Sequence, residues 1–218
     1  MLAVTAAPAS AGPTAELAGT CGGFPVTIAG TDGEDVIVGT EFSDVIDGLG
    51  GSDTLSGLGG DDVICGGAGD DFIFGGENSI FFAGDVLYGG PGADLIWAMS
   101  GFDTVRGGGD KDNIDGGPGV DDLFGGSGAD DLLGAAGADV VWGGDGGDSF
   151  EGSDGADSVF GQKGADDVRG GPGADDLHEG PGSDGFDGSS GVDTCFGNAG
   201  IDFISAGAER CEVTHGIP

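Results

Sequence analysis

Aliphatic residues recur every ninth position through most of the chain. Residues 116–133 show the unit twice: Gly-Gly-Pro-Gly-Val-Asp121-Asp-Leu123-Phe, then Gly-Gly-Ser-Gly-Ala-Asp130-Asp-Leu132-Leu. Counted from the first glycine, position 6 is Asp, position 8 is aliphatic, positions 1 and 4 are mostly Gly, and position 2 is often Gly. The register starts at residues 30, 39, 48, 57, 66 and 75 and continues from 89 to 197, making 19 repeats. Position 6 is Asp in all of them, and position 8 is Val, Ile, Leu or Phe in all but one, where it is Cys195. The sixth unit, residues 75–88, is enlarged and carries Ile80-Phe81-Phe82.

This pattern predicts an all-β chain. A strand over positions 7 to 9 points position 8 one way and its neighbours the other. The glycine-rich half then turns the chain, and two nines return it to the same side. The expected architecture is a parallel β-roll, a two-sheet solenoid with 18 residues per turn and the position-8 side chains between the sheets. So short a strand is unstable alone, so stacking must bury it and the end units must cap it. The expected layout is a leader remnant or disordered N-terminus over 1–20, a cap over 21–29, the roll over 30–205 and a second cap over 206–218.

Charge turns this outline into a chemical question. The chain carries 40 acidic residues against 5 basic ones, a formal charge of −35, together with 54 glycines. That balance rules against nucleic acid, which requires Lys and Arg clusters, and argues against anionic membrane surfaces. A chain this acidic repels itself until cations neutralise it. The Asp side chains recur in register: Asp35, Asp44, Asp53, Asp62, Asp71, Asp85, Asp94, Asp103, Asp112, Asp121, Asp130, Asp139, Asp148, Asp157, Asp166, Asp175, Asp184, Asp193 and Asp202. Residues eighteen apart stack one turn above the other, at about 4.8 Å. The glycines leave carbonyl oxygens bare in the same turns. A hard cation with flexible oxygen coordination fits, and calcium accepts 6 to 8 such ligands, whereas magnesium demands an octahedron. One divalent ion per stacked Asp pair would supply about +34 charges. Coupled binding and folding is therefore expected.

The unit Gly-Gly-x-Gly-x-Asp-x-aliphatic-x over residues 30–205 resembles the hemolysin-type calcium-binding repeats of the RTX family. The resemblance implies a parallel β-roll with calcium ions in its turns. It transfers calcium binding and not catalysis, because the protease, lipase or toxin regions of many members have no counterpart in the residues ahead of Gly30. Many members are also poor in cysteine and leave the cell through a C-terminal signal. This chain departs from that pattern.

Four cysteines, Cys21, Cys65, Cys195 and Cys211, sit near the two ends and lack the spacing of a zinc site. In an oxidising compartment they would pair as Cys21–Cys65 and Cys195–Cys211, each clamping one end. The alternative is four free thiols. Residues 1–11 end in Ala9-Ser10-Ala11, like a signal-peptidase site, though without a basic start. Together with the cysteines this points to a secreted, extracellular protein. No apolar run reaches membrane-spanning length.

Catalytic motifs are missing. His178-Glu179 lacks the second His of a zinc-protease helix, and no Ser lies in G-x-S-x-G. The expectation is a non-enzymatic calcium-binding protein with a structural or adhesive role. The alternatives are a repeat fragment or accessory chain of a secreted hydrolase or toxin, or a carbohydrate-binding surface. The last rests on position 9. One sheet carries Tyr88, Arg106, Phe124, Trp142, Phe160, His178 and Phe196 there, and the other mostly polar residues. An aromatic ladder between strands accounts for this stripe. A docking face built on Tyr88, Phe124, Trp142, Phe160 and Phe196, for a protein, a polysaccharide or a second copy, is the competing explanation.

Overall fold

The computed structural model describes residues 2–5, 19–77, 84–197 and 203–204, with side chains described for 19–77 and 84–197. Two parallel sheets stack face to face, one of 11 strands and one of 10. Successive strands alternate between them, so each strand pairs with the strand two ahead of it. The register is the one the period demands: Leu123 pairs with Val141 in one sheet, and Leu132 with Phe150 in the other. The enlarged sixth unit does not disturb it, because Ile64 still pairs with Leu87 and Ile73 with Ile96. No helix among the described residues is long and apolar enough to cross a membrane.

The core is a single file. Position 8 from Ile37 to Cys195 is buried throughout and forms one continuous cluster between the sheets. Each turn adds one such residue to each sheet, so burial of one turn depends on the next turn being present. That is why repeats of this kind need stacking and capping.

The strands are longer than a reading of positions 7 to 9 predicts. Leu95–Ser100, Thr104–Gly109 and Asp131–Ala136 all run from position 7 through position 3 of the following unit. Alternation therefore continues past position 9. Positions 6, 8 and 1 face inward, and positions 7 and 9 face outward, as in Asp112, Ile114 and Gly116 against Asn113 and Asp115. Aspartate, aliphatic and glycine share the interior, and the side chains on either side of them meet solvent.

Position 2 then turns the corner. From Leu49 to Ser189 every residue at position 2 has a left-handed φ, whether glycine, as at Gly108 (122°) and Gly126 (118°), or one of seven others between 62° and 81°. Glycine dominates there because other residues lose energy in that region.

The N-terminal end carries a small second core. The hairpin Thr20–Cys21/Phe24–Pro25 lies on the outer face of the 10-stranded sheet, where Cys21 and Val26 pack with Val63, Val86 and Tyr88. The Cys21–Cys65 disulfide pins it there. Leu2–Thr5, within the span expected to be a leader, runs as a strand parallel to Asp35–Val38.

Candidate metal centre

Every position-6 aspartate from Asp35 to Asp193 is buried. Asp202 lies outside the described residues. Their carboxylates are not simply stacked. From Asp53 onward, each accepts a hydrogen bond at Oδ1 from the backbone N–H of the aspartate one turn earlier. One ladder climbs through Asp35, Asp53, Asp71, Asp94, Asp112, Asp130, Asp148, Asp166 and Asp184, with N···O distances of 2.8–2.9 Å. The second climbs from Asp44 through Asp62, Asp85, Asp103, Asp121, Asp139, Asp157 and Asp175 to Asp193, at 2.7–3.1 Å. Residues eighteen apart are thus brought together as the period predicts, in two rows along the two edges of the roll. The backbone role of Oδ1 had no signal in the sequence beyond the constancy of Asp. Glu is a methylene longer and would not hold this register.

Oδ2 is the chemically interesting atom. In Asp53, Asp62, Asp71, Asp94 and each position-6 aspartate from Asp103 to Asp175 it is buried without a hydrogen-bond partner. Leaving a buried carboxylate oxygen unmatched is unfavourable by several kcal/mol unless a proton or a cation joins it. Position 1 shows where such a cation would sit. A side chain placed on Gly125 would meet Asp130 Oδ2 at 2.6 Å and the Gly143 carbonyl oxygen at 2.7 Å. On Gly134 it would meet Asp139 Oδ2 at 2.7 Å and the Gly152 carbonyl oxygen at 2.9 Å. Glycine at position 1 keeps open a cradle between a carboxylate of one turn and a carbonyl of the next. Ala98 and Glu179 are the exceptions at position 1, and both side chains are buried.

The donor set selects the ion. Among the described residues no three or more His, Cys, Asp or Glu side chains converge as a metal cluster. A cation in these turns would take one carboxylate oxygen together with backbone carbonyls. Hard, oxygen-loving ions with irregular coordination suit such a set, and calcium is the abundant example.

Electrostatics agree. Burial pushes Asp121 up to about 8; its hydrogen bond to the Asp103 amide opposes this and the nearby carboxylates of Asp103, Asp139 and Asp122 add to it. Asp62, Asp71 and Asp112 rise to about 7, again through burial first. A group so shifted binds a proton at neutral pH, or is held ionised by a cation in the proton's place.

Outside the rows, the position-9 stripe is a stack. Phe124 and Trp142 lie 4.4 Å apart and 3° from parallel. The stack continues through Phe160 and His178 to Phe196. Arg106 extends it, its guanidinium lying 4.8 Å from the Phe124 ring and 5.5 Å from Tyr88. Ring faces are occupied by neighbouring rings, and Tyr88 is covered by the N-terminal hairpin. Cys195 is disulfide-bonded, and its expected partner Cys211 lies outside the described residues.

Comparison with known proteins gives one positive finding. The family model for the RTX calcium-binding nonapeptide repeat matches residues 29–64, 47–79, 88–123, 106–141, 115–150, 142–177 and 180–204, together well over half of the chain. No curated protein matches it.

Proposed function

The chain belongs to the RTX calcium-binding nonapeptide repeat family, and from that premise we propose that it is a secreted, non-enzymatic structural protein whose roll closes around an array of calcium ions. The observation that carries the proposal is the pair of rows of buried Asp Oδ2 atoms that no backbone or side-chain donor reaches. Asp53, Asp62, Asp71 and the aspartates that follow would hold the ions, with the position-1 carbonyls of the adjacent turn as further ligands. Bound calcium would supply positive charge to rows of like-charged carboxylates. The residues themselves do the rest: Oδ1 locks the register, glycine at position 1 keeps the cradle open, and the position-8 file buries apolar surface once neighbouring turns meet.

Without the ion, each inward-facing carboxylate whose Oδ2 lacks a donor opposes closure, so across those turns binding and folding are one event. An extracellular setting suits this, because disulfides such as Cys21–Cys65 persist in oxidising compartments. An adhesive role has weaker support, since the aromatic faces on the 10-stranded sheet are turned toward one another.

The test is a calcium titration of metal-stripped protein followed by far-UV circular dichroism and light scattering. A cooperative gain of β-signal with a fall in hydrodynamic radius is expected, with magnesium a poor substitute. The same β-content in excess chelator at neutral pH would overturn the proposal.

A further inference from the structure

The first two repeats differ from those of Asp53, Asp62, Asp71, Asp94 and Asp103 to Asp175, and the difference lies at the carboxylate. Asp35 Oδ2 accepts from the Thr31 backbone N–H at 2.6 Å and from the Thr31 hydroxyl at 2.8 Å. Asp44 Oδ2 accepts in the same way from Thr40, at 2.7 and 2.8 Å. Each hydroxyl in turn accepts from the position-4 N–H, Gly33 at 3.3 Å and Phe42 at 3.1 Å. The turn is closed by its own residues.

The rest of the cradle is unchanged. A side chain on Gly30 would meet the Gly48 carbonyl at 2.7 Å and Asp35 Oδ2 at 2.8 Å, and one on Gly39 would meet the Gly57 carbonyl at 2.6 Å and Asp44 Oδ2 at 2.9 Å. These match the surroundings of Gly125 and Gly134. What changes is position 2. Thr31 and Thr40 do not take the left-handed φ found at position 2 from Leu49 to Ser189. Threonine is β-branched and resists that region, so the backbone stays on the ordinary side and aims its N–H, with the hydroxyl, at Oδ2.

We infer that the calcium array begins at the third repeat, with Asp53, and that the first turn is a metal-independent cap in which Thr31 and Thr40 take the place of the ion. A carboxylate oxygen that already accepts two short hydrogen bonds gains little from a cation, which would have to displace both. The same end of the roll is held without metal by other means. The disulfide ties Cys21 to Cys65, and the Thr27 hydroxyl bridges the backbone of Val45, 2.9 Å from its N–H and 3.1 Å from its carbonyl oxygen. The chain therefore carries a preformed end on which later turns add as calcium arrives, and the roll grows from the N-terminal side. This rests on the calcium reading proposed above and says where along the chain it applies.

The experiment is hydrogen–deuterium exchange with mass spectrometry on the whole chain, metal-stripped and calcium-loaded, alongside equilibrium dialysis to count bound calcium. With metal removed, peptides covering residues 35–47 should stay protected while those covering 104–196 exchange fast; calcium should protect both. Thr31→Gly/Thr40→Gly restores the ordinary repeat and should raise the calcium bound by about two ions per chain, with loss of protection at 35–47 in its absence. Fast exchange at 35–47 in the metal-stripped wild-type chain would overturn the inference and leave the calcium reading intact. Unchanged calcium stoichiometry in a double variant that still folds with calcium would do the same. Full protection of both regions without metal would instead overturn the calcium reading, and this inference with it. The wild-type pattern decides the matter even if the double variant fails to fold.

Discussion

Acid should do part of calcium's work. Asp121 is pushed up to about 8 in the folded roll, Asp62, Asp71 and Asp112 to about 7, and Asp94, Asp103, Asp139, Asp148 and Asp175 to about 6, all by burial first. In the unfolded chain these groups sit near the ordinary 3.8. Folding therefore raises their proton affinity. Stability linked to such groups is fully present below about pH 4 and is lost as pH rises through the range from about 6 to about 8. A rise from 3.8 to about 7 corresponds to about 4 kcal/mol against the metal-free fold at neutral pH. Screening by water among the carboxylates leaves on the order of 1–2 kcal/mol for each. Nine aspartates of this kind match or exceed the roughly 5–15 kcal/mol by which a domain is usually stable. Metal-stripped protein at about pH 7.5 should thus be largely unfolded, and at about pH 4.5 should regain much of the β-signal. With saturating calcium the neutral-pH sample should be folded, so the pH dependence belongs to the metal-free chain. Far-UV circular dichroism across a pH series on metal-stripped protein, with hydrodynamic radius measured in parallel, checks this. A β-signal flat from about pH 4.5 to 8, or falling on acidification, would refute the linkage.

Four further outcomes follow from local geometry. Gly108→Ala places a Cβ against the Gly90 carbonyl at a φ of 122° and should destabilise the calcium-bound roll by about 2 kcal/mol or more, seen as a lower Tm and a higher calcium midpoint; Ala135→Gly, at a φ of 77°, should instead stabilise it by about 0.5–1 kcal/mol. Trp142→Ala removes two stacked contacts, to Phe124 at 4.4 Å and Phe160 at 5.8 Å, and should lower stability by roughly 1–3 kcal/mol while leaving calcium-induced folding in place, read by thermal melts and near-UV circular dichroism. Cys21→Ser/Cys65→Ser opens a loop of 44 residues and should lower stability by up to about 4 kcal/mol, with hydrogen exchange rising first around the hairpin.

Most of the architecture is legible in the sequence because the repeat is one supersecondary unit copied at fixed length. Period nine with one inward aliphatic fixes the strand spacing, parity assigns Phe124 and Leu133 to opposite sheets, and position near an end is enough to pair Cys21 with Cys65. The span of each strand was not legible. Glycines at positions 1 and 2 read as turn residues, yet in the roll they continue the parallel ladder, as Gly108 does opposite Gly126. The chain still bends there through the left-handed φ at position 2, and pairing with the next turn carries the ladder through the bend.

The sequence by itself determined the repeat, the two sheets, the inward aliphatic file and the two rows of aspartate, because each depends only on period and on residue type within a period. Tertiary structure decided what each aspartate does with its two oxygens. Oδ1 meets an amide eighteen residues away, and that contact exists only when turns are stacked. Oδ2 lacks a hydrogen-bond partner in Asp53, Asp62, Asp71, Asp94 and the position-6 aspartates from Asp103 to Asp175, and is taken by Thr31 and Thr40 in the first turn, because a β-branched residue at position 2 keeps the backbone out of the left-handed region that later repeats occupy. Two repeats that differ only mildly in sequence therefore differ in chemistry through one backbone angle.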